Sequence, residues 1–265
     1  MSRFEVASRV SSVGSRRKKS RVWTVSFVCA RPLGMRVSVI LLAAGSGRRM
    51  GGRVPKAFMP LAGLPLYLHS YSTFRSMKEV RQVILVVPKG LRIPGAVTGG
   101  RRRQDSVLKG LQAVDPASDV VLIHDAARPL VAPDLVRRVI RAAWRVGGAV
   151  PGVPVMDTVK RVTRGGRIRA TLERSELRAV QTPQGFRKGV LEGAYAAGRG
   201  RKDATDDAQI VERAGGKVAV VEGNSENFKI TSKFDLKHAE DYLRNRRRPR
   251  TPRGNVALPP SRRSR

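Results

Sequence analysis

The chain has 265 residues, 53 of them Lys or Arg against 20 Asp or Glu, for a formal net charge of +33. That balance excludes an acidic disordered protein and points to anionic partners, while 41% hydrophobic residues supply apolar surface for one large domain or two small ones. A single cysteine excludes an internal disulfide framework and a Cys-cluster zinc site, and the absence of any run of about eighteen apolar residues predicts no membrane-spanning helix; a cytoplasmic location is expected.

In chain order, residues 1–34 form a basic Ser/Arg-rich extension of charge +7 that reads as disordered. Arg16, Arg17, Lys18 and Lys19 before Val22–Ala30 imitate a signal peptide, but the apolar run is short and Ser26 interrupts it. Met35, directly before the first strong strand, is an alternative start that would remove Cys29 with the extension. Residues 35–243, at +17, are the expected folded domain. Short β-branched runs alternate there with longer amphipathic stretches, the signature of strand–helix–strand units in a mostly parallel sheet. Strands are predicted over 37–43, 80–87, 119–124, 148–155 and 217–222. Helices are predicted over 66–77, 104–114, 133–146, 188–197, 206–214 and 233–243, with Pro133 opening the third and Gly147 and Gly148 closing it.

Residues 156–182 break the pattern. Two polar, alternating runs flank Arg164-Gly165-Gly166-Arg167, where the glycines can take the positive φ angles of a hairpin turn. Polar on both faces, this hairpin is expected to leave the domain as an arm and pack on a second copy, giving a homodimer. Residues 244–265 hold nine arginines and no acidic residue; this Arg/Pro-rich tail is expected to be disordered, with non-specific nucleic-acid contact a weaker alternative to a solvated end. No second catalytic domain is expected after it.

The strongest chemical signal follows the first strand. In LLAAGSGRRMGGRVPKAF, residues 41–58, the small residues Ala43, Ala44, Gly45, Ser46 and Gly47 let backbone N–H groups approach an anion, as phosphate-cradling loops do. No Gly-Lys-Ser/Thr ends it, so it is not a Walker loop. Gly45, Gly47 and Gly51 miss the dinucleotide fingerprint spacing. Arg48, Arg49 and Lys56 add three cations beside the turn, which indicates nucleotide phosphate. The second signal, HDAARP at 124–129, falls at the carboxyl end of a strand, where open parallel sheets place ligands. Asp125 could hold Mg²⁺, a hard ion that prefers carboxylate and phosphate oxygen, or cap a turn; His124 is expected to be packing. In GGRRRQDSVLKGL, 99–111, Gly99, Gly100 and the Ser106 hydroxyl could read a base or ribose. Thr205, Asp206 and Lys229 sit near element ends, where a further phosphate or hydroxyl would be held.

Taken together, LLAAGSGRRM, PKAF, GGRRRQDSV, HDAARP, PVMDTVKRV, QTPQGF, TDDA and NFKIT, in that order, resemble the 2-C-methyl-D-erythritol 4-phosphate cytidylyltransferases over about 36–243. The resemblance implies a doubly wound α/β fold, Rossmann-like, with an extended hairpin arm in a homodimer. It implies transfer of CMP from CTP to methylerythritol 4-phosphate, with Mg²⁺ and release of pyrophosphate. By motif position, Arg49 with Arg48 and Lys56 would be catalytic at the triphosphate. Ala43, Ala44, Gly45, Gly100 and Ser106 would hold the cytidine, and Asp125 would lie beside metal and substrate. Arg128, Asp157, Thr158, Arg174, Thr182, Thr205 and Lys229 would meet the methylerythritol phosphate, some from the other subunit's arm. Arg101 departs from the pattern, standing where an acidic residue is often found. A cytidylyltransferase for another polyol phosphate, such as ribitol 5-phosphate, is the nearest alternative. A basic nucleic-acid-binding protein is disfavoured by 5% aromatics and by basic residues concentrated in tails.

Overall fold

The computed structural model describes residues 34–45, 54–198 and 203–247. The chain divides into two units, Met1–Arg31 and Pro32–Arg265. The first lies outside the described residues, as do the glycine-rich loop from Ser46 to Arg53 and the C-terminal tail from 248.

The first β-branched run forms β1 (Val37–Leu42), and a small antiparallel pair, β2 (Pro60–Leu61) with β3 (Leu64–Pro65), leads into α1 (Leu66–Arg75). There follow β4 (Val80–Val87), β5 (Val97–Thr98), α2 (Arg103–Leu111), β6 (Val120–Asp125), α3 (Pro133–Val146) and β7 (Gly148–Pro154). The hairpin β8 (Lys160–Val162) and β9 (Ile168–Thr171) precedes β10 (Arg178–Val180) and β11 (Gln184–Arg187). The chain then forms α4 (Lys188–Ala197), α5 (Asp207–Arg213), β12 (Val218–Glu222) and α6 (Lys233–Arg247). α3 opens on Pro133 and closes on Gly147 at φ +118°, a conformation that favours glycine.

β1 lies between β4 and β6, parallel to both, with β5 parallel beyond β4. β11 inserts antiparallel between β6 and β7, and β12 runs parallel along the other edge of β7. Alternation along β1 builds the two halves of the core. Val37 and Val39 face Val136, Val139 and Phe74 of α3 and α1. Ile40 faces Val107, Leu191 and Val211 of α2, α4 and α5. The result is the expected doubly wound, mostly parallel α/β sheet between helical layers. Its connections diverge at β1: α1 carries the chain to β4 on one face, and α2 carries it to β6 on the other. Ligands bind at such divergence points, at the carboxyl ends of the strands.

The arm is corrected in extent. β8 and β9 pair only with each other among the described residues, around a turn in which Gly166 takes φ +78°. β10 lies within the segment expected to leave the domain, yet it pairs antiparallel with β7 at Gly152–Pro154. The free arm is therefore shorter than 156–182. Three exposed residues, Arg-Ala-Val, have no apolar face to announce a strand; an open edge of β7 recruits them.

Candidate active site

Three parallel strands end together, at Leu42, Val87 and Asp125, and several of the predicted site residues lie around those ends. Ala43 continues β1, its N–H donating to the Val86 carbonyl at 2.8 Å, and Gly99 donates to the Val87 carbonyl at 2.7 Å. A Cβ on Gly99 would stand 2.6 Å from that of Ala44, so glycine is what lets these two loops touch. Gly100 donates its N–H to the Ser106 hydroxyl at 3.0 Å, and that hydroxyl donates to the Arg102 carbonyl at 3.2 Å. Ser106 thus braces the turn, and both glycine N–H groups are engaged within the protein.

Asp125 is the centre of the site. Lys229 Nζ donates to its Oδ2 at 2.6 Å, and Arg103 Nε donates to its Oδ1 at 3.3 Å. Burial works against the charge, but Arg103 and Lys229 together hold the carboxyl well below the usual carboxylate range. Lys229 owes its place to its neighbours: Phe228 and Ile230 pack with Leu61, Leu66 and Leu130 under α6, and the Ile230 N–H donates to the Ala127 carbonyl at 2.8 Å. Alternation between two anchored apolar side chains turns the lysine the other way. Lys56, in a 3-10 turn over Lys56–Phe58, donates to the Ile230 carbonyl at 2.8 Å. The lysine of PKAF is thereby tied to the NFKIT segment, one residue from Lys229.

Beneath Asp125 the hydrogen bonds fix one protonation pattern. The Asp125 N–H donates to the Thr182 hydroxyl at 3.1 Å, and that hydroxyl donates to His124 Nδ1, 3.1 Å away, since in a neutral ring the proton belongs on Nε2 beside a carbonyl that can only accept. His124 Nε2–H then donates to the Arg128 carbonyl at 3.0 Å. The expectation that His124 is packing holds: it is fully buried against Phe74, and burial pushes its pKa down to about 4. Thr182, expected at the substrate, has a buried side chain whose hydroxyl is bonded in this network. Arg128 is half-buried and donates to the Asn227 carbonyl at 2.7 Å; burial lowers its pKa.

A neutral imidazole has a testable consequence. Its folded pKa of about 4 lies below the ordinary 6.5, so the native state binds fewer protons than the unfolded chain between those values. The stability that the imidazole contributes is whole above pH 6.5 and is lost as pH falls toward 4. Urea midpoints of the wild type and His124→Gln should therefore draw together from pH 7 to pH 5. A constant difference would contradict the assignment.

Other expected site residues lie apart. Asp157 and Thr158 are exposed at the base of the hairpin, and Arg174 donates to the Met156 carbonyl at 2.7 Å beside them. Among the described residues no hydrogen bond or ion pair joins these three to the Asp125 cluster. Thr205 is exposed, its N–H donating to Gln209 Oε1 at 3.0 Å at the entry to α5. Ser46, Gly47, Arg48 and Arg49 fall outside the described residues.

Residues the sequence did not single out complete the site. Arg103 also donates to Asp207 Oδ2 at 2.7 Å, and the Tyr195 hydroxyl donates to Asp207 Oδ1 at 2.6 Å. Asp207 is wholly buried, and the Gln184 amide oxygen accepts the N–H groups of Asp207 and Ala208 at 3.0 and 3.1 Å. A signal existed: Asp207 shares a helical face with the apolar Ile210 and Val211, so this carboxylate had to be inside.

The sequence between 37 and 245 matches the family model of 2-C-methyl-D-erythritol 4-phosphate cytidylyltransferase, IspD. The chain belongs to this family. It is 41% identical over 226 residues to the 2-C-methyl-D-erythritol 4-phosphate cytidylyltransferase of Syntrophotalea carbinolica, covering 79% of this chain and 97% of that one. It is also 41% identical over 227 residues to the bifunctional enzyme IspD/IspF of Clavibacter michiganensis, where the match covers 79% of this chain and 55% of the relative. The chain thus spans about half the length of that two-function relative. The crystal structure of the Thermus thermophilus cytidylyltransferase superposes with a TM-score of 0.68 at 41% identity, covering 79% of this chain and all of that one. The motif order read from the sequence agrees with this membership.

Proposed function

We propose that this protein transfers CMP from CTP to 2-C-methyl-D-erythritol 4-phosphate, forming CDP-methylerythritol and pyrophosphate for isoprenoid precursor synthesis. The observation that carries the reading is the cationic cluster at the carboxyl ends of the parallel strands, where Lys229 and Arg103 hold Asp125 and Lys56 bonds the backbone next to Lys229, in a chain of this family.

The chemistry needs no general base. The second pKa of a phosphate monoester, near 6, leaves the acceptor phosphate mostly dianionic at pH 7. One of its oxygens forms a bond to the α-phosphorus as the bond to the bridging oxygen breaks and pyrophosphate leaves with that oxygen. His124 is buried with both ring nitrogens engaged, which suits a reaction that moves no proton through it. The difficulty is repulsion between two anions, so the work of the protein is to supply fixed positive charge and position. Lys229 and Lys56 are the residues we assign to the phosphates, with Arg49 and Arg48 from the glycine-rich loop.

Mg²⁺ fits this site only in company with the nucleotide. Among the described residues no three His, Cys, Asp or Glu side chains are grouped to hold a metal. Asp125 is the one carboxylate we assign to it, leaving the triphosphate to supply other ligands, as is usual for this ion. When bound, the ion would neutralise charge on the transferring and leaving phosphoryl groups. Calorimetric titration with Mg²⁺ should show no binding to the protein alone and binding in the presence of CTP; binding without nucleotide would count against the assignment.

A homodimer through the hairpin is part of the proposal. Met156, Val162 and Ile168 are 79%, 55% and 66% exposed on the arm, an unusual cost for large apolar side chains unless a second copy covers them. Sedimentation of the protein with and without Val162→Asp and Ile168→Asp together tests it: a shift from dimer to monomer is expected, and a monomeric wild type would overturn it. A cytoplasmic location belongs to the same reading and is supported by two charged, phosphorylated substrates.

Pyrophosphate release across the four nucleoside triphosphates, with methylerythritol 4-phosphate or ribitol 5-phosphate as acceptor, decides the activity. Turnover with CTP and the first acceptor is expected. Activity with ribitol 5-phosphate alone would replace the reading by its neighbour.

A further inference from the structure

We propose that Arg103 is a positioning residue for the transfer: anchored on buried Asp207, it takes one carboxylate oxygen of Asp125 and leaves the other to Lys229. The inference rests on the activity proposed above and concerns a side chain that touches neither substrate in that reading.

The geometry carries it. Arg103 is the first residue of α2, and its guanidinium reaches across to two other segments. Nη1 donates to Asp207 Oδ2 at 2.7 Å, and Nε to Asp125 Oδ1 at 3.3 Å. Asp207 has little freedom, since its side chain is wholly buried, its second oxygen is held by Tyr195, and its N–H is held by Gln184. The planar fork of arginine passes that rigidity on, because Nη1 and Nε cannot move independently. With Oδ1 taken, Asp125 faces Lys229 through Oδ2 alone, at 2.6 Å. Negative and positive charges alternate from Asp207 through Arg103 and Asp125 to Lys229. Arg103 therefore competes for the charge of Asp125 and leaves that of Lys229 partly uncompensated. The Lys229 side chain is 41% exposed against 13% for Asp125, so this charge sits on the open side, where a phosphate arrives.

Lysine in place of Arg103 keeps the charge that Asp207 needs but cannot span both carboxylates. Arg103→Lys should lower kcat for CTP and methylerythritol 4-phosphate at least about fivefold, with a smaller change in KM for CTP. In an Asp125→Asn background the same substitution should change kcat by less than about twofold, because the residue acts through Asp125. Arg103→Met combined with Asp207→Asn removes both buried charges at once and should repeat the pattern. Near-ultraviolet circular dichroism confirms folding, and Arg103→Lys decides the matter should the double variant not fold. Unchanged kcat in the parent, or an equal loss in both backgrounds, would overturn the proposal. Failure of the wild type itself to turn over the two substrates would instead overturn the assigned reaction.

Discussion

Lys56→Ala should lower the rate of pyrophosphate release about a hundredfold or more, and Arg49→Ala should do the same, the usual cost of losing a charge partner of the transition state. Lys56 stands at the exit of the glycine-rich loop, and its ammonium donates to the Ile230 carbonyl, one residue from Lys229. It has two tasks: positive charge at the polyphosphate, and a tie between the loop and the segment that carries Lys229. Loss of the charge should fall on kcat, whereas loosening of the tie should raise KM for CTP. Arg49 lies outside the described residues, and its role rests on its place in the LLAAGSGRRM motif. Steady-state kinetics on both variants tests the assignment, and near-normal turnover in both would refute it.

Phe186→Ala should remove about 3–5 kcal/mol of stability, the typical result of emptying a buried aromatic site. Phe186 is fully buried in β11, the strand inserted between β6 and β7. Its ring occupies the space left by Gly148, where an added Cβ would come within 2.8 Å of Cδ1. Against a typical total of about 5–15 kcal/mol the loss is large. It should also reach the site, since β11 opens on Gln184, which receives the first N–H groups of α5 and so sets Asp207 under Arg103. Urea unfolding at pH 7 measures it; a change below about 1 kcal/mol would show that the neighbouring helices collapse into the gap.

Much of the fold is legible in the residues because its signals are local. β4 occupies 80–87 and α3 occupies 133–146, as their periodicities predict, and α4 occupies the predicted 188–197. An eight-residue β-branched run and an amphipathic helix between proline and glycine carry their own instructions. β10 and β11 do not. Arg-Ala-Val and Gln-Gly-Phe-Arg are too short to show a period, and they are strands because β6 and β7 offer unpaired edges. α6 likewise runs four residues past the predicted end at Leu243, since nothing in Arg-Asn-Arg-Arg stops a helix.

The site divides in the same way. Composition and motif order by themselves pointed to an anionic ligand and determined the family, because a phosphate-binding motif is written in residue types at short spacings. Tertiary structure alone decided which groups work together. Thr182, expected at the substrate, proves to tie Asp125 to His124 through its buried hydroxyl. Arg103 read as one of three successive arginines, and only the fold shows that it joins Asp207 to Asp125, residues 104 and 22 positions away. The +33 of the chain points toward anionic partners, but charge is a sum over residues. An oriented cation is a matter of what a side chain is pinned against, and the pinning groups come from strands and helices far apart in the chain.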